Sequence, residues 1–199
     1  MKKLLSLSLA LLAAAAMTVP TLAASHTVQR GDTMWKLAVQ YQVGTSEIID
    51  ANPQIANPNL IYPGDVLTIP ETDASVRACE QEVVRLVNAE RAKHGLAALT
   101  EDWELSRVAR YKSQDMHDNR YFAHNSPTYG TPSRRPRAFG LSYRPGGENT
   151  AMGYAAPAAV VAGWMNSEGH RANILSSAYT KIGVGYVADG HYWTQQFIG

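Results

Sequence analysis

The 199-residue sequence has a single cysteine, Cys79. An intramolecular disulfide is therefore excluded, and any domain must be held by its core. Cys79 itself is expected to pack as a small apolar residue. A surplus of charge is also lacking, with 18 Lys+Arg against 17 Asp+Glu. No basic block offers a hold on nucleic acid or an anionic membrane. The one local cluster, Arg134, Arg135 and Arg137 in "SRRPRAFG", is expected to be a solvated loop. Nucleophile and metalloprotease signatures are missing too. There is no HExxH helix, and Ser126 in "HNSP" has no GxSxG elbow around it.

The longest apolar run, Leu4 to Met17, falls short of the roughly 20 residues that a spanning helix needs. It follows Lys2 and Lys3 and precedes small residues after Pro20, the layout of a secretory signal peptide. Residues 1–23 are therefore expected to be removed, with cleavage after Ala23 or Ala24, leaving no stable membrane span. Removal takes two lysines from a formal net charge of +1, and 1 − 2 gives −1.

Composition then shifts once. Residues 25–70 are dense in Asn, Pro and Gly, residues 71–76 read as a short polar linker, and long helical patterns follow over 77–199. In the first unit, Thr27 to Gln29 reads as a strand stopped by Gly31. Asp32 or Thr33 is placed to cap a helix with Met34, Leu37, Ala38 and Tyr41 on its apolar face. Thr45 or Ser46 is placed to cap a second helix ending at Asn52-Pro53, and Pro63-Gly64 turns into a strand from Val66 to Ile69.

"HTVQRGDTMWKLAVQYQV" followed by "ANPQIANPNLIYPGDVLTIP" resembles the LysM pattern over residues 26–70. The resemblance implies a βααβ fold that binds peptidoglycan, chitin or another N-acetylglucosamine-containing glycan. The implied groove lies between Gly31, Asp32, Thr33 and Met34 on one side and Asn59, Leu60 and Ile61 on the other. Backbone groups would meet the acetamide there, and Met34, Leu60 and Ile61 would seat its methyl.

In the second unit, "RACEQEVVRLVNAERAKHG" and "WELSRVARYKSQDMHDN" carry amphipathic helical stripes. "PAAVVAGWM" starts a third helix at Pro157. "KIGVGYVA", the turn "DG" and "HYWTQQFI" read as a β-hairpin, and the class is α+β with helices on an antiparallel sheet. His94 and His117 read as solvated; Trp103, Trp164 and Trp193 read as core.

"YFAHNSPTYG", "GENTAMG", "WMNSEGHRANIL", "IGVGY" and "YWTQQF", in this order over residues 80–199, resemble the CAP superfamily of SCP-like proteins. The resemblance implies an α–β–α sandwich with an open cleft, lined in eukaryotic members by two His and two Glu. Some of those members bind zinc through the two His. His124 and Glu148 match that pattern, while Ser167 and Tyr192 stand where the second Glu and second His would be. The bacterial branch carries its His in "SPGHR", which is His170 here, with Glu168 in place of proline. His191 is displaced by one position.

His124, Glu148 and His170 are thus the candidate site residues. His124 and His170 are possible zinc ligands, all three are possible proton carriers, and a bland role as hydrogen-bonded staples stays open. Glu168 is expected at a turn on the cleft rim. The expected function is a secreted, cell-wall- or envelope-associated glycan binder presenting a His/Glu cleft for ligand or metal. The alternatives are a metal-assisted hydrolase of wall components or peptides, and a structural protein of a spore or envelope layer.

Overall fold

The computed structural model describes residues 23–142 and 146–199; the expected signal peptide lies, apart from Ala23, outside them. The first unit is built on β1 (Ala23–Thr27) and β2 (Val66–Pro70), antiparallel, with Ala23 opposite Pro70 and Thr27 opposite Val66. The strand thus lies ahead of the expected Thr27 to Gln29, and Val28 just past it donates its N–H to Asp65 O at 2.8 Å while its carbonyl accepts from Gly64 N–H at 3.0 Å.

Two helices close the unit, α1 (Met34–Tyr41) and α2 (Thr45–Asp50). Thr33 caps α1 by accepting from Lys36 N–H. Asp32 does not cap; it accepts from Gln29 N–H and pairs with His26. The N-cap of α2 is Gly44 rather than Thr45 or Ser46, whose hydroxyl turns towards Glu47 and Arg107. Val28, Met34, Leu37, Ala38, Ile48, Leu67 and Ile69 form the core. Buried Asn52 ties α2 to β2, donating to Ile48 O and Thr68 O and accepting from Thr68 N–H.

The second unit starts earlier than its sequence suggests. Asp73 accepts from the N–H groups of Ser75 and Val76, so α3 (Ala74–Lys93) begins inside the stretch read as linker. Then come β3 (Thr100–Glu101), α4 (Trp103–Asp118), α5 (Arg135–Ala138), β4 (Gly147–Ala151), α6 (Pro157–Met165), α7 (Glu168–Ile174), β5 (Lys181–Val187) and β6 (Tyr192–Ile198). The sheet order is β3-β5-β6-β4. It is mixed rather than purely antiparallel, because the two-residue β3 runs parallel to β5. The β5–β6 connection is a 3₁₀ turn over Asp189–His191 instead of a two-residue hairpin.

Packing explains the "IGVGY" motif. A Cβ added at Gly183 would sit 2.3 Å from the backbone carbon of Leu105, and one at Gly185 would sit 2.1 Å from that of Ala109. Only glycine lets α4 lie this close on β5. On the opposite face, Ile182, Val184, Tyr186, Trp193 and Phe197 pack with Val83, Val87, Val160, Val161 and Trp164 from α3 and α6. Cys79 is partly buried against this core, with its thiol free.

The two units meet through ionic contacts. Arg107 on α4 donates to both carboxylate oxygens of Glu47 at 2.6 and 2.7 Å and to Ser46 Oγ at 3.1 Å. Tyr111 donates to Glu47 at 2.9 Å, and Arg77 to Gln42 at 3.2 Å.

Candidate functional site

Glu148 lies on β4, the edge strand of the sheet, directly opposite Gln196. Its carboxylate is 3% exposed and fully committed. One oxygen pairs with His124 Nδ1 at 3.0 Å. The other accepts from Arg135 Nη1 and from Gln196 Nε2, the latter at 3.0 Å. Burial alone would raise the Glu148 pKa, but the His124 bond, the Arg135 charge and its bond outweigh it and hold the carboxyl below its ordinary value.

Arg135 is the functional residue that the sequence reading misplaced. It is wholly buried, whereas a solvated basic loop was expected. Pro136, in the first turn of α5, starts the short helix that turns Arg135 inward. Its second nitrogen, Nη2, donates to the His124 carbonyl at 2.7 Å, so one guanidinium fixes both the loop and the carboxylate. A proline just inside a helix start, beside three arginines, was the available signal.

The His124 loop rests on a second polar cluster. Lys112 Nζ, fully buried, donates to Ala123 O at 2.6 Å and to Tyr121 Oη at 2.7 Å. Asp115 accepts from Tyr121, Ser126 and Thr128 hydroxyls and from Asn119. Ser126 also accepts from the N–H groups of Thr128 and Tyr129. The Ser126 hydroxyl is therefore a buried loop anchor.

His124 itself is 51% exposed, with Nε2 left free of contacts among the described residues. His170 sits in the first half of α7, and its carbonyl accepts from Asn149. Burial first, then the nearby charge of His124, lowers its pKa. The structure thus brings His124, Glu148 and His170 to the β4 edge. Glu168 opens α7 at the exposed surface, and His191 pairs with Tyr186 instead, at 2.8 Å. A groove of about 310 Å³ beside His170 is lined by Phe122, Met152, Tyr154 and Trp164. Phe122, Met152 and Tyr154 are exposed large apolar side chains.

The donors do not fit a three-ligand zinc centre. Both Glu148 oxygens are engaged, leaving the two histidines, and no group of three or more His, Cys, Asp or Glu gathers for a metal among the described residues.

In the first unit, Gly31, Thr33, Asn59 and Leu60 are exposed, Asp32 and Ile61 partly so. Leu60 is 52% exposed, whereas Met34 is 5% exposed and turned into the core. Met34 is therefore turned away from the surface where the LysM resemblance placed it. His94 is exposed, and His117 is partly exposed and pairs with Asp118 and Asp189. Trp164 and Trp193 are core, but Trp103 is only partly buried.

Comparison with known proteins matches residues 84–197 to the cysteine-rich secretory protein family, CAP, and residues 26–70 to the LysM domain. The Bacillus subtilis (strain 168) protein YkwD is 56% identical over 132 residues, covering 66% of this chain and 51% of that protein. SpoIVD-associated factor A from the same organism is 42% identical over 52 residues, 26% of this chain and 13% of that one. The crystal structure of an extracellular protein containing an SCP domain from Bacillus anthracis str. Ames superposes with a TM-score of 0.59 at 34% identity, covering 68% of this chain and 47% of that one. The chain thus spans about half the length of YkwD and of the Bacillus anthracis protein. By the family match, the shared α+β fold and the site motifs carried on it, this chain belongs to the cysteine-rich secretory protein family, with a LysM domain ahead of its CAP domain.

Proposed function

We propose that the protein is secreted and wall-associated, that its LysM domain holds N-acetylglucosamine-containing glycan such as peptidoglycan, and that its CAP cleft binds a ligand. The observation that carries the cleft reading is the commitment of Glu148. A buried carboxylate held by Arg135, Gln196 and His124 is a fixed strut, poorly placed to pass a proton. Beside it, Phe122, Met152 and Tyr154 offer exposed apolar surface next to the half-exposed His124, the makings of a recognition face. The glycan reading draws on the LysM match and on the exposed loop residues Gly31, Thr33, Asn59 and Leu60.

The test uses the full mature chain. Wild type should pellet with insoluble peptidoglycan or chitin, and Leu60→Asp should stay in solution with its fold unchanged. Retention of Leu60→Asp on the glycan would count against the groove. Glu168→Pro, at the exposed start of α7, should behave as wild type.

One observation favours hydrolysis as a second reading. Glu148 orients His124 through Nδ1 and leaves Nε2 facing outward, the arrangement of a general base. On that reading His124→Gln abolishes turnover of wall fragments while Phe122→Ala only weakens their binding. Turnover that survives His124→Gln would remove it.

A further inference from the structure

A second cavity lies away from the His/Glu site, in the angle between the two domains. It encloses about 420 Å³, within the range of small-ligand sites. One wall is LysM: Trp35 and Val39 on α1, with Thr45 and Ser46 at the start of α2. The other wall is CAP: Trp103, Glu104 and Arg107 on α4, with Phe139 just past α5.

Three features of these walls are unexplained by folding. Trp35 is 67% exposed and, with Val39 one turn on, gives α1 an apolar outer stripe that neither domain covers. The Glu104 carboxylate accepts no hydrogen bond from the described residues, and burial, then Asp102, raises its pKa. Arg107 spends Nε and Nη2 on Glu47 and Ser46, while Nη1 has no partner among the described residues.

An indole face, an acceptor carboxylate, a free guanidinium N–H and the Thr45 hydroxyl are what a sugar ring requires. Its C–H face lies on the aromatic plane, and its hydroxyls and acetamide find both donors and acceptors. The position is also informative. Trp35 stands in the first turn of α1, so the cleft opens two residues beyond the loop 31–33 assigned to the LysM groove. The Glu47–Arg107 pair fixes the angle between the walls.

We infer that this cleft is a further saccharide subsite, in which Trp35 and Trp103 hold sugar units of the same glycan strand that the LysM groove grips. The inference rests on the glycan reading above. It makes the CAP domain a partner in glycan binding, so a long oligomer should gain over a short one.

The experiment measures calorimetric affinities of the full mature chain for the N-acetylglucosamine trimer and hexamer. Wild type is expected to prefer the hexamer by about tenfold or more, the effect of one well-stacked aromatic anchor. Trp35→Ala, at an exposed position, should fold normally, erase that preference and leave the trimer unchanged. Glu104→Gln should reduce the preference with both indoles intact. Leu60→Asp should weaken both oligomers. If Trp35→Ala binds the hexamer as wild type does, or loses trimer affinity equally, the subsite does not exist. In those cases Leu60→Asp still reports on the LysM groove, so the glycan reading stands or falls separately. A wild type that binds neither oligomer overturns both.

Discussion

The buried ion pair of Arg135 and Glu148 makes the sharpest stability prediction. Arg135→Met leaves Glu148, 3% exposed, without its cationic partner. Removing one member of a buried pair costs about 3–5 kcal/mol, because the remaining charge stays desolvated. His124→Ala removes a different bond to the same carboxylate, but at a half-exposed position where water can take the place of the ring. That loss should be about 0.5–1.5 kcal/mol. The two variants should thus differ by roughly 1.5–4.5 kcal/mol, or about 0.8–2.2 M in urea midpoint at a slope near 2 kcal/mol/M. Urea unfolding followed by circular dichroism at pH 7 is the assay. The sign with pH follows from the lowered Glu148 pKa. Its contribution is fully present above the unfolded value of 4.5 and is lost as pH falls through the lower folded value. The advantage of wild type over Glu148→Gln should therefore shrink in acid. Equal losses for His124→Ala and Arg135→Met would refute the reasoning, since His124 would then be the buried anchor.

Three further outcomes are expected. Glu47→Ala strips Arg107 of its carboxylate and Tyr111 of its acceptor, so calorimetry should resolve separate unfolding of the two domains; one unchanged transition would contradict the ionic joint. Gly185→Ala drives a methyl to within 2.1 Å of the α4 backbone, and a loss of about 2 kcal/mol or more in chemical unfolding is expected; less than about 0.5 would mean that the helix can lift away freely. Burial and then the charge of Arg135 push Lys112 down to about 8 from 10.5. Between these values the unfolded chain holds more protons, so stability from this group rises with pH, by ~3 kcal/mol across the window. Wild type compared with Lys112→Met should show that slope, and parallel curves would exclude it.

Much of the fold was legible because its signals are local. The helical stripes, Pro157 at the start of α6 and the two long C-terminal strands are read from neighbours in sequence. Helix starts were less legible where a side chain had a distant partner. Ser46 fails to cap α2 because Arg107, 61 residues away, takes its hydroxyl. The site divides in the same way. His124, Glu148 and His170 stand in recognisable motifs, whereas Arg135 looked like a solvated charge because its partner is brought to it only by the sheet. Met34 was read both on the apolar face of its helix and as a seat for the acetamide methyl, and its burial follows the helical reading. The two-residue β3 has no periodicity to read; it exists because Thr100 N–H reaches Thr180 O beside β5.

The strand order also governs when the protein can fold. The sheet's two central strands, β5 and β6, are the last of its strands in the sequence, and the edges β3 and β4 come before them. Until residues 181–198 are available, α4 has no glycine track to lie on and Glu148 has no Gln196 opposite it. Arg91 adds to the delay, because its guanidinium waits for the carbonyls of Ile174 and Ser176, more than 80 residues on. The LysM domain, by contrast, closes within residues 23–70. Synthesis therefore yields a small folded head early and leaves the CAP half as an open chain until its end is reached, a sequence of events set by non-local contacts.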